Sequence, residues 1–348
     1  MMERTKITEP LSKQMKRKID IPVKKKGDYD GDFGTIISTG STLLDLAISG
    51  GRVRGGGLPG GILVEAFGAS GSGKTVLLSE IAGRVQRQGG EIIFHDPEAR
   101  LNKRFAELFD LKLNDKDYHR PNTVTEVFET VRKWKPEDKN KIHGVFADSL
   151  AALSTDLEMG DGDPFGGRRA KEFSEQLRVT CRLLADKNYL MVCSNQVRDV
   201  IGATQYQEKT KSPGGRALEF YPSLRLAFSG VTKLTNAVTV AKKEIKRVIG
   251  IKVNIAVYKN SIWEPYRTAP VNIVFKYGID DIAANIQFIK DYTNYTTYTL
   301  GGESLAQSIE AAIKIIEQDQ LEKQLKEQVI DLWEDIESKF ETGRKSKR

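Results

Sequence analysis

Short apolar runs alternate with longer segments of helical period along most of this chain. Ile62 to Phe67, Glu91 to His95, Val145 to Ser149 and Tyr189 to Cys193 are each four to six residues long and mostly apolar. Such runs predict strands buried on both faces. Between them, Val76 to Val85, residues 103–111, Val124 to Trp134 and Ala170 to Lys187 carry apolar positions at helical spacing. Strands alternating with helices predict an α/β fold, a doubly wound and mainly parallel sheet. Further on, Leu224 to Phe228 reads as a strand, and Ile251, Val253, Ile255 and Val257 alternate with Lys252, Asn254, Ala256 and Tyr258. Strict alternation marks a strand with one buried face. Val271 to Tyr277 can pair with it, which adds an antiparallel margin to the sheet.

The ends follow other patterns. Residues 1–34 lack a strong period, so this arm is expected either to be disordered or to pack on something else, a neighbouring subunit or DNA. Ser41 is placed to cap a helix over Leu43 to Ile48, and residues 49–61 hold seven glycines and one proline, a loop. Leu305, Ile309, Ile313 and Ile316, then Leu325, Val329, Trp333 and Ile336, recur at helical spacing. They predict two amphipathic helices in a small lobe. The chain is thus expected to divide into an arm (1–34), a core (35–282), a helical lobe (283–341) and a short tail (342–348).

The first strand runs into Gly68-Ala69-Ser70-Gly71-Ser72-Gly73-Lys74-Thr75, which fits G-x-x-x-x-G-K-[ST] at every fixed position. Glycines at those positions let backbone N–H groups turn inward around a di- or triphosphate. Lys74 supplies a charge near the terminal phosphates, and the Thr75 hydroxyl is placed to ligate Mg²⁺. The helix that follows points its N-terminus at the same place. A bare strand-to-helix turn would not need Lys74 and Thr75 together.

Charge changes the picture less than its total suggests. The chain of 348 residues has a formal net charge of +7. Residues 1–26 carry +6 and residues 342–348 carry +4, leaving the body at −3. Basic ends of this kind are usually solvated, though they also attract nucleic acid. Cys181 and Cys193 lack metal-type spacing and read as buried thiols of a reducing, cytosolic setting. There is no apolar run long enough to span a bilayer and no signal-peptide pattern.

A phosphate loop needs a carboxylate at a neighbouring strand end to hold Mg²⁺, and Asp148 has that position. Hydrolysis needs a group to orient and deprotonate water. Glu98 is the first candidate and Asp96 its competitor, while His95 reads as a strand-end residue with a satisfied hydrogen bond. Asn195 and Gln196 end the fourth strand, where an amide either contacts a γ-phosphate or simply caps the strand.

Taken in order, these stretches resemble the RecA-type DNA strand-exchange recombinases over roughly residues 36–280. Ile37 to Ser41 with Leu44-Asp45 is similar to the family's entry segment, and the phosphate loop stands in its place. His95-Asp96-Pro97-Glu98-Ala99-Arg100-Leu101 resembles the stretch with the catalytic glutamate, and Phe146 to Leu153 the Mg²⁺-aspartate strand. Ser194 to Arg198 resembles the entry to the second DNA-binding loop, and Gly214 to Tyr221 its exit.

The resemblance implies an ATPase with MgATP held by the 68–75 loop, Thr75 and Asp148, with Glu98 and Lys74 catalytic and Gln196 sensing the γ-phosphate. Phe105 and Tyr277-Gly278 would sit near the adenine, and Lys259 at the protomer boundary. The 157–170 and 197–214 loops would grip single- and double-stranded DNA along the axis of a helical homo-oligomer. They offer Phe165, Arg168, Arg169, Arg198, Tyr206, Lys209 and Lys211, with Gly214 and Gly215 at the exit. The setting it implies is the cytoplasm of a bacterial or phage-infected cell. Two departures stand out: Ser261 replaces the second of two family lysines, and the tail is basic where bacterial members often end in acids. Lys242, Lys243 and Lys246 are the candidates to substitute for the missing lysine. The alternative readings are a RecA-fold ring helicase or signalling ATPase, and a non-hydrolysing accessory paralogue.

Overall fold

Leu63–Gly68 forms the first core strand, β1, because its apolar side chains are buried on both sides. The computed structural model describes residues 34–154, 167–196, 198–199, 210–211, 217–340 and 343. After β1 come β2 (Ile92–His95), β3 (Tyr118–His119), β4 (His143–Ala147) and β5 (Tyr189–Gln196). They are followed by β6 (Leu224–Val240), β7 (Lys243–Asn260), β8 (Thr268–Val274) and β9 (Gly278–Ile279). Among the described residues these nine strands make one sheet in the order β9-β8-β7-β6-β1-β5-β4-β2-β3. The pairs from β6 through β1, β5, β4 and β2 to β3 are parallel, and those from β6 through β7 and β8 to β9 are antiparallel. The parallel sheet with an antiparallel margin is the expected α/β architecture.

Helices close the faces. They are α1 (Thr42–Ser49), α2 (Lys74–Arg87), α3 (Lys103–Glu107), α4 (Val124–Lys133), α5 (Gly167–Lys187) and the short α6 (Ala217–Phe220). Ser41 caps α1 by accepting from the Leu44 N–H, as its position predicted. Val124, Val127, Phe128 and Val131 of α4 meet Phe173, Leu177 and Leu184 of α5 over Val145 and Met191 of the sheet. Each of these seven helix side chains is fully buried. That continuous packing fixes the strand ends where the loops leave.

Two features depart from the sequence reading. β6 and β7 run far past their buried segments as a two-stranded ribbon, turning at Ala241 and Lys242 with φ of 48° and 65°. Positive φ at both central residues is the hairpin turn that matches strand twist. The ribbon arms are rich in Val, Thr and Ile but bury no face, so burial patterning misses them. Lys242, Lys243 and Lys246 lie toward the tip of this ribbon, where Lys246 and Lys243 are ten and thirteen pairs along the ladder from Lys259.

Residues from Ile282 onward form a second compact unit, separate from 35–281. It contains α7 (Asp281–Asp291, which starts at the boundary), a hairpin of Tyr298–Leu300 and Glu303–Ala306, then α8 (Ile309–Gln318) and α9 (Glu322–Ser338). Ser304 to Ala306 is therefore strand, not helix. Ile286, Ile289, Ala312, Ile316, Leu325, Val329 and Trp333 make its buried centre. The 1–33 segment and most of the tail lie outside the described residues.

Candidate functional site

The loop from Gly68 to Thr75 leaves the C-terminal end of β1 and enters α2 through Gly73. Gly73 has φ +95°, and a Cβ there would come within 2.3 Å of Ile273 Cδ1. A Cβ on Gly68 would meet the Phe228 carbonyl at 2.6 Å. At these two positions the loop has room for backbone only. The α2 N-terminus has no side-chain cap and no acid in its first turn. Its leading N–H groups are thus left for an outside acceptor, and the positive end of the helix favours an anion.

Lys74 is buried and donates to the carbonyls of Gly68 (2.9 Å) and Ala69 (2.7 Å). Burial lowers its pKa, opposed by the charges of Asp148 and Glu98. The field of those two carboxylates therefore reaches the phosphate-loop lysine. Asp148 follows β4, and its N–H donates to the His95 carbonyl at 2.9 Å. Its carboxylate accepts from the Ser194 hydroxyl on β5, an orienting contact that sequence reading did not find. The strand register sets Gln196 opposite Gly68, where the loop starts.

Glu98 lies in the turn after β2, where its carboxylate pairs with Arg100 at 2.8 Å. Asp96, the competitor, is 2% exposed, and its Oδ2 accepts from the Leu101 N–H and the Tyr118 hydroxyl, each at 2.7 Å. That carboxylate is spent on shaping the turn. His95 corrects the expectation of a satisfied strand-end histidine. Its ring is buried against His119, with centroids 5.3 Å apart, and neither nitrogen has a hydrogen-bond partner among the described residues. Burial, with His119 adding to it, pushes its pKa down to about 3.

Beneath the loop, Glu65 on β1 is buried and accepts from Arg225 Nε (2.6 Å) and Asn195 Nδ2 (2.9 Å). Arg225 also lies over the Phe67 and Tyr258 rings. Burial raises the Glu65 pKa, with Arg225 opposing. A lone acid inside an apolar strand was the available signal for this link. Lys259 donates to the carbonyls of Glu219 (3.2 Å) and Phe220 (2.5 Å) within its own chain.

Phe105 packs on Phe109, centroids 5.1 Å apart, and a Cβ at Gly278 would come within 3.1 Å of Phe109. Tyr277 is 53% exposed. Phe109 therefore joins Phe105 to Gly278, and the sequence reading missed it. Phe165, Tyr206, Lys209, Gly214 and Gly215 lie outside the described residues. Arg168 and Arg169 begin α5, and Arg198 and Lys211 are register partners in a two-residue antiparallel ladder.

The sheet, the glycine-shaped loop and the strand-end acids define an α/β phosphate-loop nucleotide-binding protein. Sequence comparison makes the class narrower. The family profile described as the RecA N-terminal domain matches residues 11–280. Protein RecA of Thermus thermophilus is 33% identical over 263 residues, covering 75% of this chain and 73% of the relative. Protein RecA of Gloeothece citriformis is 30% identical over 305 residues, covering 84% and 81%. Protein RecA of Campylobacter jejuni subsp. doylei is 32% identical over 258 residues, covering 73% and 70%. The chain belongs to the RecA family, as a divergent member. No helix among the described residues is long and apolar enough to cross a membrane.

Proposed function

We propose that this protein is an ATP-dependent recombinase that forms helical filaments on single-stranded DNA and exchanges strands with a homologous duplex. The observation that carries the reading is the convergence of Lys74, Asp148, Glu98 and Gln196 on the C-terminal ends of adjacent parallel strands. The residues fit a nucleotide: the loop is closed to side chains, and the N–H groups that open α2 have no side-chain cap.

Thr75 and Asp148 would hold Mg²⁺, which supplies charge neutralisation at the phosphoryl oxygens. Lys74 leaves the Gly68 and Ala69 carbonyls to meet the terminal phosphates. Glu98 orients water and accepts its proton. Ser194 fixes the rotamer of Asp148. Phe105, Tyr277 and Gly278 flank the base.

Gln196 starts the path from nucleotide to DNA. It faces Gly68, and two residues later Arg198 pairs in register with Lys211. The register thus brings two basic residue types to one position of the ladder, a composition that suits a polyanion. Phe165, Arg168, Arg169, Tyr206, Lys209, Gly214 and Gly215 complete the grip in this reading. Filament growth follows from a head-to-tail interface that does not close. The 1–34 arm and Lys259 serve that interface, and the 283–341 lobe is an accessory unit. The setting is the cytoplasm of a bacterial or phage-infected cell.

The test is ATP hydrolysis by the full chain with and without single-stranded DNA, beside Lys74→Ala. The expected result is turnover stimulated by DNA and lost in the variant, with helical filaments in electron micrographs. Turnover indifferent to DNA, or rings instead of filaments, would overturn the reading.

A further inference from the structure

The turn that carries Glu98 is held by a side chain, and that side chain is held from the sheet edge. Asp96 makes four contacts. Its N–H donates to the His119 carbonyl on β3 (2.9 Å), and its carbonyl accepts from the Ala99 N–H (3.1 Å). Its carboxylate Oδ2 accepts from the Leu101 N–H and from the Tyr118 hydroxyl, both at 2.7 Å. Two of these contacts face β3, and two tie the residues after Glu98 back to Asp96 before it, closing the turn around the glutamate. Ala99 sits at φ 52°. A non-glycine residue there is strained and persists only where its surroundings over-determine it.

A buried carboxylate needs its donors, since an unmet lone pair away from water is costly. Tyr118 is one of the two that Asp96 Oδ2 has. The β3 strand is only two residues long, paired as Phe94 with Tyr118 and His95 with His119. It covers no large apolar area, yet both of its residues engage the end of β2. The Tyr118 oxygen accepts in turn from Arg120 Nε at 3.4 Å, and Arg120 lies over its ring. Burial and the bond to Asp96 raise the phenol's pKa, so it stays a donor at neutral pH.

We propose that Tyr118 is a positioning residue for Glu98: its hydroxyl aims the Asp96 carboxylate, which closes the turn at Leu101 and sets where the glutamate stands. Tyr118 itself touches no reacting atom. The role rests on the reading of Glu98 as the group that orients water, and its contacts do not.

The test compares Tyr118→Phe, Glu98→Gln and the double variant in the full chain with single-stranded DNA. Losing one hydrogen bond to a charged acceptor should lower kcat for ATP by about three- to tenfold, with KM inside about twofold. In the Glu98→Gln background the same substitution should cost nothing more, because the group it positions is gone. Amide exchange at Leu101 should quicken in Tyr118→Phe, and the melting temperature should fall by no more than a few degrees, the cost of one donor lost to a buried carboxylate. A kcat loss that persists in the Glu98→Gln background, or a Leu101 amide unchanged by Tyr118→Phe, would overturn the proposal. If Leu101 loosens while Glu98→Gln hydrolyses ATP at the normal rate, the brace stands and the water-orienting reading of Glu98 fails.

Discussion

Two turns leave the C-terminal ends of parallel strands in the same sheet, with two strands between them, and are built on opposite plans. The 68–75 loop after β1 is shaped by backbone: Gly68 and Gly73 sit where a Cβ would strike Phe228 or Ile273, and no side chain caps α2. The 96–101 turn after β2 is shaped by side chains: Asp96 ties it to Leu101 and Tyr118, and Glu98 is paired with Arg100. On the proposed reading the backbone-built loop presents N–H groups and binds, and the side-chain-built turn aims one group that acts on what is bound. Substitutions in the first should damage affinity, and those in the second should damage turnover.

Gly73→Ala is the strongest challenge to that division. The added methyl meets Ile273, and φ +95° disfavours any L side chain, so nucleotide affinity should fall by about a hundredfold or more. Nucleotide titration by calorimetry measures it, and unchanged affinity would break the contrast. Glu98→Gln should lower turnover by about a hundredfold while affinity stays within about threefold, read from steady-state rates beside the same titration.

His95 offers a pH test of the second turn. Folded, it resists protonation to about pH 3, whereas the unfolded chain takes a proton near 6.5. The unfolded state thus binds more protons between those values, and stability falls as pH drops through that window. His95→Leu should flatten the slope, measured as denaturant midpoints at pH 7 and pH 5. Arg100→Ala should have the smallest effect. In its ion pair with Glu98 the Arg100 side chain is 67% exposed, so kcat should change by less than about fivefold.

The same contrast explains what was legible beforehand. The phosphate loop is readable because backbone constraints force particular residue types, glycine above all, at set spacings. Asp148 and Gln196 were readable because buried apolar runs announce where strands end. Ser194, Tyr118 and Phe109 were not, because their roles arise from pairing between segments distant in sequence. Ser194 reaches Asp148 only once β5 lies beside β4, and Tyr118 meets Asp96 only across the β2–β3 register. The ribbon was invisible for another reason. Burial patterning detects strands that hide a face, and residues 231–249 hide neither.

That ribbon also gives the fold a spare dimension. Among the described residues its two arms pair only with each other beyond Ile249, while the buried ends of β6 and β7 are locked to β1 and β8. Length can therefore be added or removed at the tip in matched steps without disturbing the site. Because side chains alternate faces, two residues from each arm keep every remaining one on its own side, and one from each inverts the ribbon past the cut. A lineage that shortens or lengthens this hairpin by even increments tries new outward surfaces while the nucleotide machinery is inherited intact.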